Sequence, residues 1–181
     1  MGLTNKERDR RYQKLREDME MENIDFLVVY GNSGRQGSRT GNLAYVSNFI
    51  PFSGQQILVF PRNGEPVLFV GVENQRIEAL RRSWISDVRC EAMTPVPEQA
   101  CNFLEEVSDP GKRLGISTLS IIPFAWYEQF QNKIPAKEWV DAGEMIWKNR
   151  LIQSEEEIAF SAHSAELGDR IWDRALEFVH E

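Results

Sequence analysis

The sequence predicts an α/β fold, a mixed β-sheet flanked by helices, and three observations carry that reading. The first is Ile24-Asp25-Phe26-Leu27-Val28-Val29-Tyr30, a near-continuous apolar run of strand length, as expected for a strand covered on both faces. The second is a hairpin signal, with Gln56–Phe60 and Pro66–Val70 flanking Asn63-Gly64. The third is alternation: helical segments separate further short strands along the rest of the chain, which places helices on the sheet faces.

The elements follow in order. Lys6 to Glu22 reads as a helix, because Tyr12, Leu15 and Met19 recur at helical spacing among charges. After the first strand comes a glycine- and serine-rich loop, Gly31 to Gly41. Asn42 to Phe49 reads as a short strand or turn, and the hairpin follows it. Glu73 to Trp84 is helical, with Ile77 and Leu80 expected to face inward. Ile85 to Cys90 is a candidate strand. Pro95 and Pro97 open a helix to about Val107, and Asp109-Pro110-Gly111 is a turn. Arg113 to Ile116 is a strand, Pro123 starts a helix to about Asn132, and Glu138 to Asp141 is the last strand. Phe124, Trp126 and Tyr127 are expected in the core.

Ser154-Glu155-Glu156-Glu157 has the form of a capping box, opening a helix that runs to near Glu181. Its apolar residues form two opposite stripes. One contains Ile158, Trp172 and Leu176; the other contains Phe160, Leu167, Ile171 and Phe178. A helix apolar on two sides requires neighbours on both. One stripe is expected against this domain, and the other against a sheet outside it.

Composition narrows the chemistry. The 181 residues suffice for one ordinary domain core, and the formal net charge of -7 disfavours nucleic acid and anionic membrane as main partners. No apolar run approaches a membrane span, and Met1 to Glu22 is too charged for a secretory signal, so a cytoplasmic location is expected. Cys90 and Cys101 read as reduced structural thiols. With His163 and His180 they have no metal-ligand spacing, so neither a metal site nor a catalytic residue is assigned in this chain. Gly31 to Ser38 follows a strand, where phosphate loops sit, but it matches neither G-x-G-x-x-G nor the P-loop pattern. It reads as a solvated loop, or as one that contacts a carboxylate or acidic partner through Arg35 and Arg39.

Four segments in order resemble the creatinase/prolidase N-terminal domain. They are Arg10–Leu15 with Met19 and Asn23–Val29; Asn42-Leu43-Ala44-Tyr45-Val46-Ser47-Asn48-Phe49; the strands around Asn63-Gly64; and Arg150-Leu151-Ile152-Gln153-Ser154-Glu155-Glu156-Glu157-Ile158. Asn48 stands where that family usually has glycine, and Gln153 where it has lysine. The resemblance implies a ribonuclease H-like topology over residues 1–149. Residues 150–181 then form the junction and first helix of a C-terminal pita-bread domain. It further implies a non-catalytic N-terminal domain of an Xaa-Pro aminopeptidase or dipeptidase, a homodimer acting on proline-containing peptides. A divalent metal (Mn, Co or Zn) is expected only in the full-length peptidase, on two Asp, one His and two Glu beyond the junction. Phe52 and Ser53, in the loop after the Tyr45–Phe49 segment, become candidates for contact with substrate or partner. Phe160, Leu167, Ile171 and Phe178 become an interdomain or dimer interface. The rival reading is a peptide- or protein-binding module from a catalytically inactive or creatinase-like relative.

Overall fold

The computed structural model describes residues 3–33, 40–134 and 138–179. In chain order the elements are α1 (Asn5–Met21), β1 (Phe26–Asn32), α2 (Gly41–Ser47), β2 (Gln55–Pro61), β3 (Val67–Val70), α3 (Glu73–Arg82) and β4 (Asp87–Arg89). They continue with α4 (Val96–Val107), β5 (Arg113–Ile116), α5 (Phe124–Lys133), β6 (Glu138–Asp141), α6 (Gly143–Leu151) and α7 (Glu155–Val179). The strands form one mixed sheet of order β4-β3-β2-β1-β5-β6. The β1-β2-β3 meander is antiparallel, while β5 and β6 add parallel to β1 and β4 adds parallel to β3. This is the ribonuclease H-like arrangement with β4 added beyond β3.

The apolar run of β1 serves two cores at once, because successive side chains of a strand point to opposite faces. Leu27 and Val29 join Tyr12, Leu15 and Met19 of α1, Leu43 and Val46 of α2, and Met145 and Ile146 of α6. Val28 and Tyr30 join Val96, Ala100, Cys101 and Leu104 of α4 and Phe130 of α5. In β2, Leu58 and Phe60 follow the first set and Ile57 and Val59 the second. Both faces of these central strands are therefore covered, as the unbroken apolar run requires.

Several expectations need correction. Asn42 to Phe49 is neither strand nor turn but the helix α2. It ends at Asn48, which sits in the left-handed region at φ 55° and donates its N–H to the Ala44 carbonyl at 2.8 Å. Asparagine enters that region at lower cost than most residues with a Cβ, which is why it can replace glycine there. In α3 the inward residues are Gln75 and Ala79, and Ile77 and Leu80 are exposed. The amide of Gln75 is drawn inward by Gln56, whose Nε2 donates to Gln75 Oε1 at 3.2 Å, and this sets the rotation of the helix. The β2–β3 hairpin exists, but its last paired residues are Val59 and Val67, so the connection is longer than two residues. Gly64 takes φ 117° there. Trp126 and Tyr127 do pack on the core, with Trp126 edge-on to Tyr30 at 5.5 Å, whereas Phe124 is exposed.

Candidate functional site: the junction between α1, α2 and α7

Three segments far apart in the chain meet at the start of α7. Ser154 and Glu157 close the capping box: Glu157 N–H donates to Ser154 Oγ at 3.2 Å, and Ser154 N–H donates to Glu157 Oε2 at 2.8 Å. The same Glu157 carboxylate accepts from Arg11 Nη2 at 2.8 Å and from Arg10 Nη2 at 3.0 Å. Both arginines lie on α1 and turn at the same time toward Glu7. Arg11 Nε reaches it at 2.7 Å, and Arg10 holds it with two bonds of 2.8 and 2.7 Å. Glu7 recurs at i, i+3 and i, i+4 from its partners, the spacings that bring helical side chains together.

Arg11 is the centre of this network. It is 5% exposed, its Nη1 donates to the Tyr45 carbonyl of α2 at 2.7 Å, and its guanidinium lies 4.2 Å from the Tyr45 ring centroid and 5.2 Å from that of Trp84. A planar fork with five donors and an aromatic-stacking face can make all of these contacts together, and a lysine cannot. Burial by itself would push the Glu7 carboxyl upward. The hydrogen bonds from Arg10 and Arg11, with the Ser154 hydroxyl, outweigh burial and hold it at about 2.

A second set of bonds ties α2 to the end of α6. Arg150 Nη1 donates to Asn42 Oδ1 at 2.9 Å, and Asn42 Nδ2 donates to the Ser117 carbonyl at 3.2 Å. Gly41 lies directly under the Arg150 guanidinium, where an added Cβ would come within 2.6 Å of a nitrogen. The residues that carried the sequence resemblance thus converge in space: Arg10 and Arg11, Asn42 and Tyr45, and Arg150, Ser154 and Glu157 all take part in bracing one exit point.

Thr4 Oγ1 adds a bond to the neighbouring Glu156 at 2.9 Å, and past this first turn α7 buries no side chain among the described residues. None of its residues is buried, and its apolar side chains range from Phe160 at 37% exposed to Val179 at 75%. The expectation that one stripe packs on this domain is therefore corrected. Phe160, Leu167, Ile171 and Phe178 lie along one side of α7 and are all exposed, as are Ile158, Trp172 and Leu176. Among the described residues the hydrogen bonds between α7 and the rest of the domain are all at its first turn.

The other predicted residues fall elsewhere. Arg35 and Arg39 lie outside the described residues. Phe52 is exposed beside Ile50 on the loop between α2 and β2. The Ser53 carbonyl is bound by Gln56 Nε2 at 2.8 Å and by Gln75 Nε2, which anchors that loop to β2 and α3. Cys90 is half-buried and Cys101 buried, both free, and burial pushes the Cys101 thiol up to about 12, which leaves it unreactive. His163 is exposed on α7, and His180 lies outside the described residues. Among the described residues no group of three or more His, Cys, Asp or Glu side chains could hold a metal ion, and no helix is long and apolar enough to cross a membrane.

A mixed six-stranded sheet with helices on both faces, braced at the start of α7 by Arg10 and Arg11, defines the fold class. The chain belongs to the creatinase/prolidase N-terminal domain family, whose model matches residues 11–152. Among solved structures, the prolidase from Pyrococcus horikoshii aligns at 23% identity and TM-score 0.67, over 93% of this chain and 42% of its own. The Xaa-Pro dipeptidase from Bacillus anthracis aligns at 15% identity and TM-score 0.69, over 94% and 43% respectively. A proline dipeptidase structure from Streptococcus pneumoniae aligns at 19% identity and TM-score 0.62, over 78% of this chain and 98% of its own. These identities establish the fold. The chain spans less than half the length of the first two proteins. No curated protein sequence matches the chain.

Proposed function

We propose that this chain serves as the non-catalytic N-terminal domain of a creatinase/prolidase-type hydrolase, an Xaa-Pro aminopeptidase or dipeptidase, and assists dimerisation and substrate access there. One observation carries the reading: α7 is locked at its first turn by Arg10, Arg11 and Ser154 while burying none of its own residues. An isolated helix gains little from propensity alone and owes its stability to packing of its apolar faces. A helix aimed this rigidly, with two bare apolar stripes, is built to enter a further hydrophobic layer. On this reading residues 1–149 form the N-terminal domain and residues 150–181 form the junction and the first helix of the pita-bread domain. Phe160, Leu167, Ile171 and Phe178 then lie at an interdomain or dimer interface. Exposed Phe52, on a loop anchored through Ser53, is the group offered to substrate or partner.

Peptide hydrolysis in this class would draw on a divalent metal that polarises the scissile carbonyl and supplies bound water. On this reading the metal ligands belong to the pita-bread domain, and this chain contributes shape and contact. The test is an assay of the isolated chain on Xaa-Pro dipeptides and on longer peptides with proline second, with manganese, cobalt or zinc added. The expected result is no turnover above buffer. Metal-stimulated cleavage that co-purifies with the chain would overturn the reading.

A further inference from the structure

A cavity of about 600 Å³ opens beside the junction, at the carboxyl ends of the parallel strands β5 and β6 and against the start of α2, the helix that follows β1. The chain leaves β1 for α2 on one face of the sheet, and leaves the neighbouring β5 for α5 on the other face. Adjacent parallel strands whose connections diverge in this way leave a crevice between them, which in open α/β sheets is where ligands bind. The volume lies within the range of small-molecule sites.

The lining is chemically specific. Arg150 and Asp141 both face this cavity. Arg150 forms no ion pair among the described residues; its one hydrogen bond goes to the neutral amide of Asn42. Asp141 likewise has no ion-pair partner among them and accepts only the Gly143 N–H, at 2.8 Å. Glu144, also on the rim, is already neutralised by Lys148 at 2.8 Å. The same cavity is lined by the half-exposed indole of Trp147 and by Ser117, which is 2% exposed and whose hydroxyl has no hydrogen-bond partner among the described residues. A buried polar group left unsatisfied in a native fold calls for a reason, and a missing ligand or water is one.

A cation and an anion that are unpaired among the described residues, and an aromatic face, around a single cavity match a ligand with the converse pattern. The geometry points to a binding site for a small zwitterion of the amino-acid type, its carboxylate toward Arg150, its ammonium toward Asp141 and its apolar part on Trp147. The guanidinium reads a planar carboxylate with paired donors, and the carboxylate accepts charge-assisted bonds from an ammonium. Because Arg150 also holds Asn42 at the root of α7, the occupied site adjoins the exit of that helix.

Calorimetric titration tests this with L-leucine, with N-acetyl-L-leucine, which keeps only the negative charge, and with L-leucinamide, which keeps only the positive one. L-Leucine should bind saturably, with each blocked form weaker by about tenfold or more, the loss expected when one charge-assisted contact is removed. Asp141→Asn keeps an oxygen for the Gly143 N–H, so the helix start is preserved. It should weaken L-leucine to the level of N-acetyl-L-leucine and leave the latter unchanged. Arg150→Gln should do the converse with L-leucinamide. Absence of saturable L-leucine binding at millimolar concentration, equal binding of the blocked forms, or indifference to Asp141→Asn in a folded variant would each overturn the proposal.

Discussion

Replacing Arg11 with methionine removes the guanidinium but keeps a long apolar stem, and so isolates the network from simple packing loss. The substitution deletes charge-assisted bonds to Glu7 at 2.7 Å and Glu157 at 2.8 Å, and one to the Tyr45 carbonyl at 2.7 Å. Glu7 itself is 2% exposed, so it is left largely dry, with Arg10 and the Ser154 hydroxyl still beside it. Breaking a buried ion pair by removing one partner costs about 3–5 kcal/mol, because the remaining charge stays desolvated. The lower half applies here, since Arg10 remains in place. A loss of about 3 kcal/mol is a large part of the roughly 5–15 kcal/mol that keeps a domain folded. Urea unfolding followed by circular dichroism reads that loss as a lower midpoint at unchanged slope. A double-mutant cycle with Glu157→Gln should return a coupling of at least about 1 kcal/mol for groups sharing one network. Arg11→Met within 1 kcal/mol of wild type, or strict additivity with Glu157→Gln, would refute the claim that this cluster braces α7.

Three further outcomes follow from the same geometry. Glu7 sits at about 2 in the folded chain against 4.5 ordinarily, so its contribution is complete above pH 4.5 and disappears as pH falls from 4.5 toward 2. That contribution is roughly 2–3 kcal/mol, nearer the lower figure because Arg10 is 41% exposed, and Glu7→Gln should flatten the acid limb of a stability–pH profile. Asn48→Gly should match or slightly exceed wild type in Tm, and Asn48→Ala should lose about 1 kcal/mol, because alanine is strained at φ 55°. The bare stripes of α7 should make the chain self-associate in sedimentation or lose α7 first to protease, with Phe160→Glu plus Ile171→Glu abolishing association. A monomer with a protease-resistant α7 would count against them as an interface.

How much of this was legible in the sequence depended on distance along the chain. The strands and both cores were readable because alternation and apolar runs are local, and the Ser154–Glu157 box was readable because its partners are three residues apart. The short helix α2 was misread, since Leu43, Ala44, Tyr45 and Val46 are apolar in a run that suits a strand. Its only stop signal, Asn48, is legible once a left-handed cap is considered. The rotation of α3 was missed because a buried glutamine outranked two aliphatic residues, and its partner Gln56 is 19 residues away. The helix α6 was overlooked although Asp141 two residues before Gly143 and the Glu144–Lys148 pair announce it. The link from Arg11 to Glu157 spans 146 residues and leaves no local trace; only the shared order of the motif segments hinted at it.

That separation has a consequence for assembly. Within the meander only β2 and β3 are joined by a short connection, while α2 lies between β1 and β2; β1 also pairs with β5, with Phe26 opposite Leu114, and α1 meets Glu157 across 146 residues. Contacts between distant residues bear the loop-closure entropy before any packing compensates it, and they slow folding. Arg10 and Arg11 pair with Glu7 within α1 itself, at helical spacing, so that part of the cluster needs no distant partner. The Arg11–Glu157 contact closes a loop of 146 residues, and the closure entropy of fixing the start of α7 is offset by the packing of the sheet and helices between them.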